Sequence, residues 1–580
     1  MSKIQKLELT WVGKDEKEEI EPRILVENPE LSHVYNRDRN GQLSLINKDG
    51  DFDNMLIHGD NLLALKALEQ DFAGKVKCIY IDPPYNTGSA FEHYDDNLEH
   101  SIWLNLMRSR LELLRNLLRD DGIIAIEIDD NEQAYLKVLC DEIFGRNNFV
   151  TMLTIESGEV FGTKAAHINK TFVKVKDYIL LYKKNSDIEL QVRPLWTKIA
   201  EPFDSHYSNF INEDTLEKIP LLSIIKSNND ACKLFEQYQL RISLENISKL
   251  MDLNKQFCNY ILNELSTKIF QDQPYTVDLG GFAQSMQVGK IYKKNGRLLF
   301  KTSGGTIRYY KPFSDSLHLT DDYVPEYCRS TARGDLWKNY HTDMRNIDDE
   351  GNVKFKSSKK SERLIRDILY SLTNEGDLVL DSFLGSGTTC AVAHKMKRKW
   401  IGVEMGNHAY THCIPRINSV IEGTDLTGVT ERTNWQGGGS YKFYELAPSL
   451  VIKDSHGREI INPEYNANML AAAMAKHEGF KYNPDRNNAY KQGFASEKSF
   501  IFTTTNHITA EYLDEIASNF ADDEYLIINC KSFDGNIANN YKNITIKKIP
   551  QSILGKCVFN KDNYNLNIIN LPVEDDNAEE

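Results

Sequence analysis

The chain lacks any uncharged apolar run of about 18 residues, the length that a membrane-spanning helix needs. No apolar stretch follows the start Met1-Ser2-Lys3-Ile4-Gln5, so we expect no secretory signal. The nine cysteines are scattered singly, without a C-x-x-C pair or histidines at zinc spacing. This usage is typical of reduced thiols in a cytoplasm and disfavours a structural metal. Because the chain also lacks a phosphate-binding P-loop, we expect any ATP-driven step to need a partner.

Total charge does not decide between partners. The 580 residues carry a formal net charge of −15, which by itself disfavours nucleic acid. Binding depends on the local field of one face, however, and the stretch 287–311 holds seven basic residues and no acidic one. The length exceeds what one hydrophobic core supports and predicts about three domains.

Short apolar runs alternate with amphipathic stretches from Met55 onward, the pattern of βαβ units. The pattern is lost in the middle of the chain and then returns, which predicts one doubly wound α/β sheet split by an insertion. The predicted parts are an N-terminal arm (1–50), a first α/β half (51–185), the insertion (186–345), a second α/β half (346–438) and a small α+β domain (439–580).

One motif joins a predicted strand, Asp377–Asp381, to a predicted helix that begins at Thr388. The turn between them contains Gly385 and Gly387, and glycine lets backbone approach a ligand closely. Strand, glycine turn and helix together hold a nucleotide-like cofactor at the edge of a doubly wound sheet, and a carboxylate such as Glu404 after the next strand suits ribose hydroxyls. The turn is not G-x-G-x-x-G, which disfavours a dinucleotide. By itself, such a turn is equally compatible with a structural role.

A sharper motif, Asp82-Pro83-Pro84-Tyr85, follows the apolar strand Val76–Ile81. Two prolines hold the main chain rigid with its carbonyls presented. An aspartate beside such a carbonyl offers two acceptors to an amino group with two hydrogens, and the tyrosine offers a flat face for stacking. Both hydrogen bonds would make a ring-conjugated amine more nucleophilic toward a methyl sulfonium. The alternative is a tight Pro-Pro turn with an incidental aspartate.

The two motifs in this order resemble the β-class DNA amino-methyltransferases, in which the catalytic half precedes the half that binds S-adenosyl-L-methionine (AdoMet). A target-recognition domain lies between the halves in that class, which would account for the insertion. Further segments resemble the modification (Mod) subunit of type III restriction–modification systems; they are 57–62, 178–185, 435–440 and 562–568. The resemblance implies a circularly permuted, Rossmann-like methyltransferase sheet, AdoMet as the cofactor, and adenine N6 in double-stranded DNA as the methylated group.

Carried over onto matching positions, the resemblance implies a role for each motif residue. Asp82, Pro83, Pro84 and Tyr85 would be catalytic. The implied cofactor-binding residues are Asp381 for the methionine amino group, Phe383, Gly385, Gly387 and Thr388 in the loop, Glu404 for the ribose, Asp60 near the adenine, and Lys360 toward the carboxylate. An N-cap of the following helix is an equally good interpretation of Asp60. Lys360 also departs from the family, which often has Lys-Pro here, and Ser382 stands where proline or an aromatic residue is common.

A base amine can be methylated only after the base leaves the duplex stack, and this base flipping needs positively charged contacts to the backbone. The candidate DNA-binding residues are Lys170, Lys290, Lys293, Lys294, Arg297 and Arg308. For any single lysine, a solvated surface position is the simpler interpretation. The resemblance further implies a homodimer and a separate restriction (Res) subunit with helicase and nuclease activity, with 439–580 as the expected contact domain.

Three alternatives stay open at this stage. The same fold methylates cytosine N4 in some relatives, although aspartate rather than serine at position 82 favours adenine. A catalytically silent DNA-recognition protein would keep the scaffold, but the intact Asp82 motif and glycine turn count against it. A methyltransferase acting on protein glutamine or on RNA would not need so large an insertion.

Overall fold

The computed structural model of the protein describes residues 9–16, 19–35, 54–86, 100–160, 169, 171–212, 214–355, 359–537 and 539–561. The candidate Lys170 and the family-like segment 562–568 lie outside these ranges. Within them, no helix is long and apolar enough to span a membrane. All nine cysteines are unpaired thiols, and six of them are buried.

The chain forms two compact units, a main unit of 1–193 with 335–580 and an inserted unit, Pro194–Gly334. The first part of the main unit contributes strands β1 (Leu25–Glu27), β2 (His33–Tyr35), β3 (Met55–His58), β4 (Val76–Ile81), β5 (Leu118–Ile128), β6 (Phe149–Glu156) and β7 (Lys176–Lys183), with helices α1 (Asn61–Phe72), α2 (His100–Leu117) and α3 (Gln133–Cys140).

The inserted unit has its own elements. They are strands β8 (Trp196–Lys198), β9 (Asn209–Ile211), β10 (Lys218–Pro220), β11 (Ile269–Pro274), β12 (Ile291–Lys294), β13 (Arg297–Lys301), β14 (Ile307–Pro312), β15 (Leu317–Leu319) and β16 (Tyr327–Ala332), with helices α4 (Leu221–Ser227), α5 (Asn229–Gln237), α6 (Leu244–Leu253), α7 (Lys255–Asn259) and α8 (Gly281–Ser285). Six strands form an antiparallel sheet in the order β10-β9-β11-β14-β13-β12. The hairpin between β12 and β13 turns through Asn295 and Gly296, both at positive φ, as a tight two-residue hairpin turn requires.

The chain then returns to the main unit. Its remaining elements are β17 (Leu336–Trp337), α9 (Glu362–Leu372), β18 (Leu378–Asp381), α10 (Thr388–Lys395), β19 (Lys399–Glu404), α11 (Ile414–Glu422), α12 (Thr430–Thr433), β20 (Gly439–Leu446), β21 (Val451–Lys453), β22 (Glu459–Ile461), α13 (Ala467–His477), β23 (Lys481–Tyr482), β24 (Gly493–Ser496), β25 (Ser499–Thr503), β26 (His507–Ile508), α14 (Ala510–Ala517), β27 (Tyr525–Cys530), β28 (Ser532–Phe533) and β29 (Ile544–Lys548).

Seven strands of the large sheet run in the order β3-β19-β18-β4-β5-β7-β6. All are parallel except β7, which is antiparallel to both of its neighbours. The central pair, β4 and β18, is almost wholly buried, because apolar side chains face the helices on both sides of a parallel sheet. The prediction of a doubly wound α/β sheet is therefore confirmed, and its two halves meet where β18 pairs with β4.

The connections leave the central pair in opposite directions. From β18 the chain passes through α10 to β19 on one side, and from β4 it passes through α2 to β5 on the other. Such a reversal opens a crevice at the carboxyl ends of the two strands, which is where open α/β sheets bind ligands.

The predicted domain boundaries differ from the observed division in two places. The inserted unit, Pro194–Gly334, lies inside the predicted range 186–345. Residue 439 is not a domain boundary in the structure, because β20 begins there and pairs in parallel with β3 of the large sheet. The arm also contributes structure, since β1 and β2 pair with β20. The Gly437-Gly438-Gly439 segment therefore leads into the sheet instead of linking two domains.

Candidate active site

The two sequence motifs meet at the crevice between β4 and β18. The segment from Asp82 follows β4, and the glycine turn from Ser382 to Gly387 follows β18. Both line one cavity of about 580 Å³, a volume usual for a small-molecule site. Further walls come from the ends of β5 and β6, from the segment 174–177, and from residues within 340–355 and 359–364.

The backbone after β4 is held on both sides of Tyr85. The indole nitrogen of Trp103, on α2, donates to the Pro84 carbonyl at 2.8 Å. Asn86 adopts a left-handed conformation with φ 57°, and its side chain donates to the Glu132 carboxylate at 2.7 Å. These bonds supplement the two prolines, so the Asp82–Tyr85 segment is rigid.

Asp82 lies in a partly buried network of charges. The ammonium of Lys360 lies 3.2 Å from its carboxylate, and the same ammonium donates to Glu127 at 2.7 Å and to the Tyr85 hydroxyl at 2.6 Å. The second oxygen of Glu127 accepts a hydrogen bond from Tyr80. Burial raises the pKa of Asp82 to about 7; Lys360 lowers this pKa, while Glu127 raises it further.

The acid at the end of β18 is also buried. Asp381 accepts from the backbone N–H of Phe383 at 2.9 Å and from the Thr389 hydroxyl at 2.6 Å. Burial raises the pKa of Asp381 to about 7, and these two hydrogen bonds oppose that shift. Among the described residues no cation pairs with Asp381, and a buried carboxylate of this kind suits a positively charged ligand group.

The glycine turn is fixed by the next strand and by helix geometry. Glu404, at the end of β19, accepts from the backbone N–H of Gly385 at 2.7 Å and of Gly406 at 2.8 Å. Gly387 is the N-cap of α10 with φ 83°, a conformation that favours glycine. A Cβ added to Gly387 would lie 3.3 Å from the Cα of Cys413, a tight contact that would require a small shift of this neighbour.

A buried ionic cluster supports this turn from behind. Arg416 donates to the Thr388 hydroxyl at 2.7 Å and pairs with Glu362 at 2.8 Å. Glu362 also pairs with Lys395 at 2.7 Å, and all three charged side chains are inaccessible to solvent. The residue pairs lie 28 to 54 positions apart in sequence. Contacts between residues so far apart leave no local pattern in the sequence. The sequence analysis therefore did not identify this cluster, and it did not identify Glu127 or Tyr80.

Two of the predicted cofactor residues have other contacts. Asp60 is the N-cap of α1, accepting from Leu63 at 3.0 Å, and it pairs with Arg110 at 3.2 Å. It does not line the cavity, whereas its neighbour Asn61 donates to the Ser382 carbonyl at 2.8 Å. Lys360 does line the cavity, but its ammonium contacts the catalytic motif.

The candidate DNA-binding residues that the structure describes lie on β12, β13, β14 and the loop before them. Lys290, Lys293 and Arg297 are exposed. Arg308 pairs with Asp272 at 2.6 Å, which leaves less of its charge for a phosphate. Lys294 and Arg297 lie over the rings of Phe282 and Tyr309, at 3.9 and 4.6 Å. Basic and aromatic side chains are thus interleaved on one sheet.

The order of the seven central strands, the single antiparallel strand β7 among them, and the paired motifs at the switch point constitute the Rossmann-like fold of AdoMet-dependent methyltransferases. Among the described residues, no group of three His, Cys, Asp or Glu side chains is placed to hold a metal ion. The family model described as "DNA methylase" matches residues 76–414. The chain belongs to this DNA methylase family.

The similar proteins include several type III Mod subunits. The chain is 34% identical over 416 residues to a probable type III restriction-modification enzyme HindVI Mod subunit from Haemophilus influenzae, covering 68% of this chain and 54% of that protein. It is 30% identical over 443 residues to the EcoPI Mod subunit of Escherichia phage P1, covering 67% and 60%. It is 31% identical over 515 residues to the EcoP15I Mod subunit of Escherichia coli, covering 77% and 72%. The chain thus spans between half and two thirds of the length of the first two relatives.

Proposed function

We propose that this protein transfers a methyl group from AdoMet to the N6 amine of adenine in double-stranded DNA. The observation that carries the proposal is the single cavity that brings Asp82, Pro83 and Tyr85 together with Asp381, Gly385 and the rest of the glycine turn. A cofactor held by the turn and a base stacked on Tyr85 would then face each other across that cavity.

The residues at the end of β18 fit AdoMet. The buried Asp381 carboxylate suits the methionyl ammonium, because no cation in the described part of the chain offsets its charge. Gly385 and Gly387 leave backbone accessible, and Glu404 orders the turn and lies where ribose hydroxyls are held in such sheets. When bound, AdoMet supplies the methyl group as an electrophile on its sulfonium.

The catalytic motif then acts on the amine. Asp82 and the Pro83 carbonyl accept one hydrogen each, which draws the nitrogen lone pair out of conjugation with the ring. The amine would then attack the methyl group that AdoMet supplies, and Asp82 would take up the proton that the amine loses. Tyr85 stacks on the flipped base, and Trp103 holds the motif through the Pro84 carbonyl.

The inserted unit is proposed as the target-recognition domain. Lys293, Lys294 and Arg297 lie on its antiparallel sheet and Lys290 in the loop before β12, close to the half-buried rings of Phe282 and Tyr309. Such a mixture suits phosphate contacts and stacking on bases. Arg308 is a weaker candidate because of Asp272.

We further propose that the protein is the modification subunit of a type III restriction–modification system. This rests on the names of its relatives. It would act in the bacterial cytoplasm as a homodimer with a Res helicase and nuclease subunit, with described residues beyond β20 as the contact region.

The test is incubation of the purified protein with methyl-labelled AdoMet and methylation-free genomic DNA, followed by nucleoside analysis. Label in N6-methyladenine within one short sequence is the expected result. Label in N4-methylcytosine would keep the fold and overturn the target base. No label in either nucleoside, while AdoMet binds, would refute DNA amine methylation by this chain.

Asp82→Asn is the matched control for this assay. It keeps the size of the side chain but replaces one acceptor by a donor, so it should abolish transfer. The Asp82→Asn protein should bind AdoMet with nearly unchanged affinity, because Asp381 and the glycine turn are intact. More than a few per cent of the wild-type rate would contradict the role assigned to Asp82.

A further inference from the structure

Lys360 joins the two halves of the site. Its backbone lies on the cofactor side, where its carbonyl accepts from the Thr388 hydroxyl at 3.4 Å and where Ser361 caps α9. Its ammonium lies on the catalytic side, against Asp82, Glu127 and Tyr85. We propose that Lys360 and Glu127 are a pair of positioning residues that hold Asp82 and Tyr85 ready for the target amine. The inference rests on the proposed function and assigns Lys360 to the base side of the site.

The contacts of the ammonium support this assignment. Lys360 donates hydrogen bonds to Glu127 at 2.7 Å and to the Tyr85 hydroxyl at 2.6 Å, and its ammonium forms an ion pair with Asp82 at 3.2 Å. The ammonium also lies 4.8 Å from the centre of the Tyr85 ring, which fixes the ring as well as its hydroxyl. Lys360 thus contacts both of the side chains that the reaction uses.

Glu127 holds the lysine in place. It stands near the carboxyl end of β5, where its side chain is 2% exposed. One Glu127 oxygen accepts a hydrogen bond from the Lys360 ammonium, and the other accepts one from the Tyr80 hydroxyl on β4. Glu127 lines the cavity, and each of its oxygens already accepts from a protein donor, so we assign it the role of holding Lys360 and Tyr80 in place.

The pair also controls the charge of Asp82. Three groups affect the pKa of the Asp82 carboxylate: Lys360 before α9, Glu127 on β5 and Tyr85 beyond β4. The Asp82 carboxylate also interacts electrostatically with the Tyr80 hydroxyl on β4. Other charged groups around the cavity are Asp129, Lys174, Lys176, Asp177, Lys359 and Asp381. Lys360 stabilises the ionised Asp82 and Glu127 opposes it, so the two residues have opposite effects on the pKa of Asp82.

Because Lys360 and Glu127 have opposite effects on the pKa of Asp82, their substitution should shift the pH dependence of methylation in opposite directions. A loss of structure alone would not produce this result. The acid limb of the pH profile of single-turnover methylation should follow the ionisation of Asp82. Lys360→Met removes the stabilising cation and should move the limb to higher pH by about 1 unit or more, whereas Glu127→Gln should move it to lower pH. Lys360→Arg keeps the cation and should return the limb toward the wild-type position.

Asp129→Asn is the control. Asp129 lines the same cavity and is almost fully buried, but its carboxylate pairs with Lys174 at 2.6 Å. The substitution should leave the acid limb where it is in the wild-type protein. Limbs that stay in place in both test variants, or that move in the same direction, would refute the proposed pair.

A second readout does not depend on activity. Infrared difference spectra of the cofactor-free protein should show a carboxylic-acid band titrating near pH 7 that is lost in Asp82→Asn; subtraction of that variant removes the similar contribution of Asp381. The pH midpoint at which this band titrates should be higher in Lys360→Met and lower in Glu127→Gln. If the wild-type protein methylates DNA but the titration midpoint is unchanged in both variants, the proposed role of Lys360 and Glu127 is refuted and the proposed function stands. If the titration midpoint moves as expected but the wild-type protein methylates neither adenine nor cytosine, the role of Lys360 and Glu127 stands and the proposed function fails.

Discussion

Asp381→Asn separates the cost of burying a charge from its use in binding. Burial raises the pKa of Asp381 from 3.8 to about 7 in the folded protein. Each unit corresponds to about 1.4 kcal/mol, so the ionised carboxylate destabilises the cofactor-free fold by on the order of 4 kcal/mol. An asparagine carries no such cost. Its oxygen can accept from the Phe383 N–H, and its amide can donate to the Thr389 hydroxyl.

The expected result is therefore a variant that is more stable and binds less well. The folded-state pKa lies above the unfolded one, so the wild-type group contributes stability below about pH 4 that is lost as the pH rises to 7. The gain from Asp381→Asn should thus be largest near pH 8 and vanish near pH 4. Loss of one charge-assisted hydrogen bond, worth about 1.5–3 kcal/mol, should weaken AdoMet binding about 10- to 150-fold.

Two assays check this prediction. Urea unfolding of the cofactor-free proteins at several pH values measures the stability difference, and calorimetric titration with AdoMet measures affinity. Asp522→Asn removes a charge at an exposed position and should change neither quantity. Unchanged AdoMet affinity would place the methionyl ammonium elsewhere, and a less stable variant at pH 8 would refute the burial argument.

Three more perturbations follow from the geometry. Glu362→Ala leaves Lys395 and Arg416 buried with less compensating negative charge, so urea unfolding should show that the free energy of unfolding falls by about 3–5 kcal/mol. A decrease below about 1 kcal/mol would contradict the role of this cluster. Gly387→Ala must keep φ near 83° beside Cys413, which should cost about 1–2 kcal/mol and weaken AdoMet binding in titration, whereas wild-type affinity would show that the turn adapts. Trp103→Phe removes the donor to the Pro84 carbonyl and should lower kcat while leaving AdoMet affinity unchanged; a raised AdoMet Kd would mean that Trp103 acts on the cofactor side.

The strands and motifs at the crevice were predictable because their signals are local. Val76–Ile81 and the strand ending at Glu404 are short apolar runs bounded by turn residues, and the structure confirms them. The boundary at 439 could not be predicted in the same way. Three glycines in a row resemble a linker, but β20 follows them and completes the sheet beside β3.

Asp60 illustrates an ambiguity that one sequence cannot remove. An aspartate before a helix serves equally well as an N-cap or as a ligand group, and its observed contacts are with Leu63 and Arg110. Lys360 was singled out from the sequence, but toward the cofactor. Its side chain could turn to either half, and the buried Glu127, 233 residues away in the chain, determines its direction.

The two motifs, their order and the split α/β pattern follow from local sequence, because glycine turns, proline pairs and hydrophobic periodicity act through neighbouring residues. Which charges meet depends on the folded chain. It brings β4 beside β18 across an insertion, stacks Lys360 against Tyr85, and buries Glu362 between Lys395 and Arg416. Burial and pairing of charges depend on distances between residues far apart in the chain, and those distances exist only after the sheet has formed.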